Sequence, residues 1–134
     1  MTKSPSLLVV EDHQETRTFL VLALSDDYTI DTASDAHEAL KKVEQTQYDL
    51  ILIDIALGDT MDGTDLVKKF RQKPAYADTP MIAMTAHQLR ENRIYFLRQG
   101  FDEFLGKPFY PEALIEAIEH LLTHGRPSDD TLAP

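Results

Sequence analysis

Residues Leu50-Ile51-Leu52-Ile53-Asp54 are four consecutive aliphatic residues followed directly by a carboxylate. An apolar run without polar alternation predicts a strand that is covered on both faces, as in a parallel sheet. Residues 7–10 form a similar run that stops at Glu11, and residues 81–84 form a third that stops at Thr85. The sequence therefore predicts buried parallel strands with a polar residue at the carboxyl end of each.

Amphipathic segments separate these runs. Weaker strands are predicted at residues 28–33 and 101–105. Apolar residues at helical spacing predict helices over residues 13–25, 35–45, 87–99 and 111–123, and another around Leu66, Val67 and Phe70. Strand–helix alternation throughout predicts an α/β fold, a doubly wound five-stranded parallel sheet with helices on both faces. Right-handed crossovers leave few topologies, of which the strand order 2-1-3-4-5 is a common one.

Length and composition limit the class of protein. A chain of 134 residues is about one domain, which we expect to span residues 6–124 between flexible termini at 1–5 and 125–134. The absence of cysteine excludes a disulfide framework and thiol catalysis. A net charge of −10 argues against a nucleic-acid partner. No apolar run approaches the roughly 18 residues of a membrane span, so we expect a cytoplasmic protein without membrane insertion.

Polar side chains follow four of the predicted strands. Glu11 and Asp12 come after the first strand, Asp54 after the third, Thr85 after the fourth and Lys107 just beyond the fifth. Because ligands bind outside the carboxyl ends of strands in open α/β sheets, at the point where the strand order reverses, we expect these side chains to surround one cleft.

The chemistry of this set indicates phosphoryl transfer. Three carboxylates about 5 Å apart, at an effective dielectric of about 20, repel by on the order of 3 kcal/mol per pair, which favours recruitment of a cation. With oxygen ligands, and no histidine or cysteine expected nearby, the predicted metal is Mg²⁺. An anionic group beside Asp54 would meet the metal, the Thr85 hydroxyl and the Lys107 ammonium together. Taken singly, each residue also fits an ordinary role as a helix cap, a turn residue or a solvated lysine.

Five segments resemble the receiver domain of two-component response regulators. They are Leu8-Val9-Val10-Glu11-Asp12, Asp49-Leu50-Ile51-Leu52-Ile53-Asp54, Met61-Asp62-Gly63, Met84-Thr85-Ala86 and Gly106-Lys107-Pro108-Phe109. The resemblance covers residues 6–123 and implies a flavodoxin-like fold. It implies that Asp54 accepts a phosphoryl group from a histidine kinase or a histidine phosphotransfer protein, as in a phosphorelay. Catalysis beyond the domain's own phosphorylation and dephosphorylation is not implied.

The resemblance also implies roles for the neighbouring residues. Asp12, Asp54 and the backbone carbonyl of Ala56 would bind Mg²⁺ directly, and Glu11 would act mainly through water. Thr85 and Lys107 would each hold a phosphoryl oxygen, and the Lys107–Pro108 peptide bond would be cis.

A conformational switch is implied as well. Phe104 would pack inward when Thr85 moves toward the phosphoryl group, which would change a surface formed by the fourth helix, fifth strand and fifth helix. That surface would regulate a downstream protein target, and a homodimer formed on phosphorylation is left open. Arg90, Arg93, Tyr95 and Arg98 lie on the exposed face of the fourth helix, and this basic patch predicts an acidic partner.

Two departures from the family pattern stand in the loop and helix beside the site. Gly58 replaces the family's usual proline, and Gly58-Asp59-Thr60 makes this loop one residue longer, so we expect a changed loop path near Ala56. Ala56 and His87 occupy positions at which the family tunes the lifetime of the phosphoryl group.

Two other classes of protein remain as alternatives. An aspartyl-phosphate phosphatase of the haloacid dehalogenase type also has an aspartate after a strand, but it needs a second aspartate two positions later, where this chain has Ala56. A docking module that no longer takes phosphate is the other alternative, and the intact acidic, hydroxyl and lysine residues argue against it.

Overall fold

The computed structural model describes residues 4–58, 61–86, 92–108 and 110–127. The strands are β1 (Ser6–Val10), β2 (Thr29–Ala33), β3 (Leu50–Asp54), β4 (Met81–Thr85) and β5 (Glu103–Gly106). The helices are α1 (Gln14–Leu24), α2 (Ala36–Gln45), α3 (Gly63–Arg71), α4 (Asn92–Gln99) and α5 (Pro111–His124). A 3-10 turn at Pro74–Tyr76 lies in a segment that the sequence pattern left without regular structure.

All five strands are parallel and lie in the order β2-β1-β3-β4-β5, which confirms the predicted topology. The register aligns the ends of neighbouring strands: Val10 pairs with Ile53, Asp54 with Met84, and Thr85 with Gly106. The carboxyl ends of β1, β3, β4 and β5 therefore meet at one edge of the sheet.

The central strands are buried on both faces, as their unbroken apolar sequence predicts. Because side chains alternate across a strand, Leu8, Val10 and Ile53 pack into a core beneath α2, α3 and α4. Leu7 and Leu52 pack into a second core, beneath α1 and α5. Each such aliphatic side chain contributes roughly 1.5–3 kcal/mol on full burial, so the two cores hold the site-bearing strands in place.

Helix boundaries follow local capping signals. The Asp35 carboxylate accepts a hydrogen bond from the backbone N–H of Glu38 at 2.8 Å and thereby caps α2. Asp62 and Asp65 form a reciprocal capping box at the start of α3. At the other end of the chain, Gly125 has φ +77° and ends α5.

Two boundaries differ from the sequence prediction or fall outside it. Residues 101 and 102, predicted to begin the fifth strand, precede β5: Phe101 is buried in the core, and the Asp102 N–H donates to the Met81 carbonyl at 2.8 Å. The predicted start of the fourth helix at His87 lies outside the described residues.

A buried ion-pair network at the amino edge of the sheet was not predicted. Asp102 is 2% exposed, and its carboxylate accepts hydrogen bonds from Arg71 Nη2 at 2.9 Å, Arg126 Nε at 2.7 Å and the Met81 N–H at 2.8 Å. Burial lowers the pKa of Arg71 to about 10, against the opposing charge of Asp102. The network joins α3, the start of β4 and the residues that follow α5.

Within the described part of the chain, no helix is both long enough and apolar enough to cross a membrane.

Candidate functional site

Two acidic residues that follow or end neighbouring strands form the floor of a cleft at the carboxyl edge. Glu11 is 0% exposed and Asp54 is 3% exposed. The Glu11 backbone is fixed on two sides, since its N–H donates to the Ala33 carbonyl at 3.0 Å and its carbonyl accepts from Arg17 Nη1 at 2.7 Å. Both carboxylates lie between the carboxyl ends of β1 and β3, where the order of the strands along the sheet reverses.

Lys107 reaches this floor from beyond β5. Its Nζ lies 2.6 Å from Glu11 Oε1 and 3.3 Å from Asp54 Oδ2. The Lys107 N–H donates to the Thr85 carbonyl at 2.6 Å, and the Lys107–Pro108 peptide bond is cis, as the family resemblance implies. The lysine is thus held beside two carboxylates by its own backbone contact with β4.

Thr85 ends β4 and is 3% exposed. It directly follows Met84, which is paired in register with Asp54 on the adjacent strand. The structure therefore brings Thr85 to the same edge as the three acidic residues and Lys107.

Asp12 and His13 line the side of the cleft nearest α1. The Asp12 Oδ1 atom is shielded from solvent and accepts no hydrogen bond from the described residues, although His13 Nδ1 lies 3.0 Å away. His13 Nδ1 also lies 3.1 Å from Glu11 Oε2. The expectation of no histidine near the cleft was wrong, and the signal was its position directly after Glu11 and Asp12. Asp12 also does not cap α1, whose N-cap residue is His13.

The crowding of charges shifts the pKa values of the buried groups. Burial and the neighbouring Glu11 raise the pKa of Asp54 to about 6, against the opposing charge of Lys107. Burial also acts to raise the pKa of Glu11, but hydrogen bonds from Lys107 and the His13 N–H outweigh it and hold this pKa at about 2. For Lys107 itself, burial acts to lower the pKa, and the two carboxylates outweigh it and raise the pKa above its ordinary value. The Lys107 ammonium thus compensates the negative charge of Glu11 more completely than that of Asp54.

The loop after β3 packs closely on the site. The Ala56 N–H donates to Asp54 Oδ1 at 3.1 Å, so the Ala56 backbone lies beside the carboxylate. Gly58 has φ +70°, and a Cβ at this position would lie 3.1 Å from Asp12 Oδ2. Glycine in place of the family's proline therefore lets the loop backbone approach Asp12. Residues 59 and 60 of the longer loop lie outside the described residues.

The donor set fits a divalent cation. Glu11, Asp12, His13 and Asp54 each offer a ligand atom, and these atoms lie within 4.8 Å of one another. Carboxylate and carbonyl oxygens are the ligands that Mg²⁺ prefers. The buried Asp12 Oδ1, which accepts no hydrogen bond from the described residues, is an atom that a bound cation would satisfy.

Phe104 lies in β5 and contacts α4. Its half-buried side chain packs against the core, and its ring centroid is 5.2 Å from that of Phe96. On the exposed face of α4, Arg93 Nη1 donates to Glu103 at 2.6 Å, which compensates one charge of the predicted basic patch. Arg90 and His87 lie outside the described residues.

A five-stranded parallel sheet of this order, with an acidic cluster and a lysine at its carboxyl edge, defines the receiver class of signalling domain. A model of the response regulator receiver domain matches residues 7–119, and the chain belongs to that family. Membership assigns it to phosphoryl-accepting two-component signalling.

Similar proteins include both longer and comparably short chains. The transcriptional regulatory protein ResD of Bacillus subtilis is 34% identical over 122 residues, which cover 90% of this chain and 49% of ResD. The chain thus spans about half the length of that relative. An uncharacterised 14.6 kDa protein of Leptolyngbya boryana is 38% identical over 114 residues, covering 84% of this chain and 86% of the relative.

Solved structures agree with the fold. The chemotaxis response regulator CheY4 of Vibrio cholerae superposes with a TM-score of 0.83 at 29% identity, covering 89% of this chain and 99% of CheY4. The receiver domain of the sensor histidine kinase PA1611 of Pseudomonas aeruginosa, with a magnesium ion coordinated in its active-site cleft, gives a TM-score of 0.81 at 27% identity. It covers 90% of this chain and 99% of the PA1611 domain.

Proposed function

We propose that Asp54 takes a phosphoryl group from a phosphohistidine of a histidine kinase or histidine phosphotransfer protein, in the presence of Mg²⁺. The observation that carries this proposal is the position of the buried Asp54 carboxylate. It lies 3.3 Å from Lys107 Nζ, at the carboxyl edge where the strand order reverses between β1 and β3. A carboxylate oxygen of Asp54 attacks phosphorus, the P–N bond breaks, and its electron pair goes to the imidazole nitrogen, which takes up a proton.

The acidic residues would hold the metal. Asp12, Asp54 and the Ala56 carbonyl are the proposed direct ligands, with Glu11 acting mainly through water. The ion supplies charge neutralisation for an incoming phosphoryl group. Support comes from the clustered donor atoms, from the buried Asp12 Oδ1 and from the magnesium-bound cleft of the PA1611 domain.

Thr85 and Lys107 would bind the phosphoryl oxygens. Lys107 is held by two carboxylates in the described structure, and an added phosphoryl group on Asp54 brings acceptor oxygens that compete for its ammonium. The Thr85 hydroxyl is proposed to donate to a second oxygen. These contacts would draw the ends of β4 and β5 toward Asp54.

The partner would approach beside α1. A groove of about 480 Å³ is lined by Glu15, Thr16, Phe19, Lys107 and Pro108. It opens directly next to the lysine, so a donor side chain on another protein has a route to the cleft.

Phe104 would transmit the conformational change that follows phosphorylation. Movement of Thr85 would make room for Phe104 to pack inward, and the contact between Phe104 and Phe96 would transmit this change to α4. The surface of α4, β5 and α5 is the proposed binding site for a downstream protein target, with a homodimer on phosphorylation as a further outcome.

Intact-mass measurement after incubation with acetyl phosphate and Mg²⁺ tests the proposal. We expect the wild type to gain one phosphoryl group, Asp54→Asn to gain none, and the exposed control Asp26→Asn to behave as wild type. An unmodified wild type would contradict the proposal and favour a docking module. Repeated turnover of a phosphate monoester, lost in Asp54→Asn, would instead favour the phosphatase alternative.

A further inference from the structure

His13 contributes a nitrogen atom to the acidic cleft. It is the N-cap residue of α1, but its side chain does not cap the helix. Instead Nδ1 lies 3.0 Å from Asp12 Oδ1 and 3.1 Å from Glu11 Oε2, while 70% of the side chain is exposed. The ring therefore points one nitrogen at the carboxylates and leaves most of its surface to solvent.

These distances match the edges of a coordination octahedron. Adjacent ligands that each lie about 2.1 Å from one ion are separated by about 3 Å, and opposite ligands by about 4.2 Å. The 3.0 Å separation between His13 Nδ1 and Asp12 Oδ1 equals such an edge. Asp12 Oδ1, the buried atom next to Nδ1, accepts no hydrogen bond from the described residues.

We propose that His13 Nδ1 is a ligand of the cation held by Asp12 and Asp54, and that it shifts the preference of the site from Mg²⁺ toward first-row transition dications. The inference rests on the metal site of the proposed function. Imidazole nitrogen binds transition dications well, whereas Mg²⁺ prefers oxygen and keeps its waters. His13 is thus a specificity-determining residue for the metal.

The test compares His13→Asn with its parent, both carrying His120→Asn. The background change is needed because the rings of His120 and His124 lie 4.6 Å apart on α5 and offer a second nitrogen pair. Asparagine is a favoured N-cap residue, so the start of α1 is preserved in His13→Asn. His37→Asn, which alters an exposed histidine of α2, is the matched control.

Two readouts are used, without any phosphoryl donor. Calorimetric titration should show Co²⁺ affinity reduced about tenfold or more in His13→Asn, with Mg²⁺ affinity changed by less than about twofold. Pulsed electron paramagnetic resonance of the Mn²⁺ complex should show coupling to a coordinated imidazole nitrogen in the parent and in His37→Asn, and none in His13→Asn.

The outcomes separate this inference from the proposed function. One outcome overturns the inference and leaves the proposed metal site intact. In it, Asp12→Asn abolishes binding of Mg²⁺ and Co²⁺, His13→Asn leaves both affinities unchanged, and the Mn²⁺ complex of the parent shows no nitrogen coupling. If the parent binds none of the three cations, both are overturned.

Discussion

The Asp54 carboxylate is harder to ionise in the folded protein than in the unfolded chain. Its pKa is raised from 3.8 to about 6, first by burial and then by the neighbouring Glu11. The folded protein therefore binds more protons than the unfolded chain between these two pH values. The contribution of Asp54 to stability is present in full below about pH 4 and is lost as the pH rises through about 6.

Asp54→Asn should consequently stabilise the metal-free protein at neutral pH. A difference of about two pH units corresponds to on the order of 2–3 kcal/mol in the free energy of unfolding at pH 7.5, and the gain should shrink toward pH 4.5. Urea denaturation with a chelator present measures both values. Asp26→Asn, an exposed substitution, should change neither value. An Asp54→Asn protein no more stable than wild type at pH 7.5 would show that ionised Asp54 does not destabilise the fold.

Residue-level prediction from the sequence succeeded where position along a strand decides where a side chain lies. Asp54 and Thr85 directly follow unbroken apolar runs, and the carboxyl ends of parallel strands meet at one edge, so their place there follows from the sequence. His13 was missed because it begins a helix, and whether a side chain there turns toward the preceding strand depends on rotamers that the sequence does not specify.

At the scale of elements, the start of α3 is packed directly against the end of β3. A Cβ at Gly63 would lie 2.5 Å from the Asp54 carbonyl oxygen and 2.8 Å from Ile55 Cα. Both neighbours are backbone atoms, so they have little freedom to move away. This glycine allows the helix to begin beside Asp54.

Gly63→Ala should therefore destabilise the protein and displace Asp54. We expect a loss of about 1–3 kcal/mol in unfolding free energy, together with slower phosphorylation by acetyl phosphate. Gly125→Ala provides the comparison: no atom of the described residues lies within 4 Å of a Cβ there, so only its left-handed φ of +77° is strained. It should cost about 1 kcal/mol and leave phosphorylation unchanged. Normal phosphorylation in Gly63→Ala would show that the Asp54 backbone tolerates the added methyl group.

In the proposed switch, the contact between Phe104 and Phe96 couples β5 to α4. Phe104→Leu shortens the side chain and removes the ring contact, so Asp54 should still be phosphorylated while the response of α4 weakens. We expect phosphorylation-dependent amide shifts in residues 92–99, recorded by NMR, to fall by about half or more. The substitution of an exposed aromatic residue, Tyr110→Leu, should leave those shifts at wild-type size. Unaltered shifts in Phe104→Leu would exclude Phe104 as the connection.

Element prediction was most accurate where the apolar pattern is strong. The runs that form β1, β3 and β4 and the amphipathic pattern of α5 carry enough apolar residues to define their own type. β5 begins two residues later than predicted, because Phe101 matches the apolar pattern of a strand but packs into the core before the strand begins.

For the whole molecule, the Asp102 network connects elements that are distant in sequence. Asp102→Asn should leave Arg71 and Arg126 without their carboxylate and cost about 3–5 kcal/mol, because Asp102 is almost completely buried. Thermal or urea unfolding measures this loss. Lys73→Met removes a surface pair with Glu44, 3.3 Å long, and should cost at most about 1 kcal/mol. Equal losses in the two variants would contradict the assigned importance of the buried network.

Sequence reasoning had no means of finding this network. Arg71 and Arg126 lie 31 and 24 residues from Asp102, and each alone reads as a solvated charge at a helix end. Only the folded structure shows that the three side chains meet at one buried site. The α/β class, by contrast, followed from strand–helix alternation, and right-handed connections left few strand orders, of which the observed one was a common choice.

The contact between Lys107 and Glu11 spans 96 residues, nearly the length of the domain. A ribosome-bound or proteolysed polypeptide that lacks its later strands has the acidic groups but no ammonium beside them. The proposed acceptance of a phosphoryl group by Asp54 would therefore require that synthesis and folding have proceeded past β5.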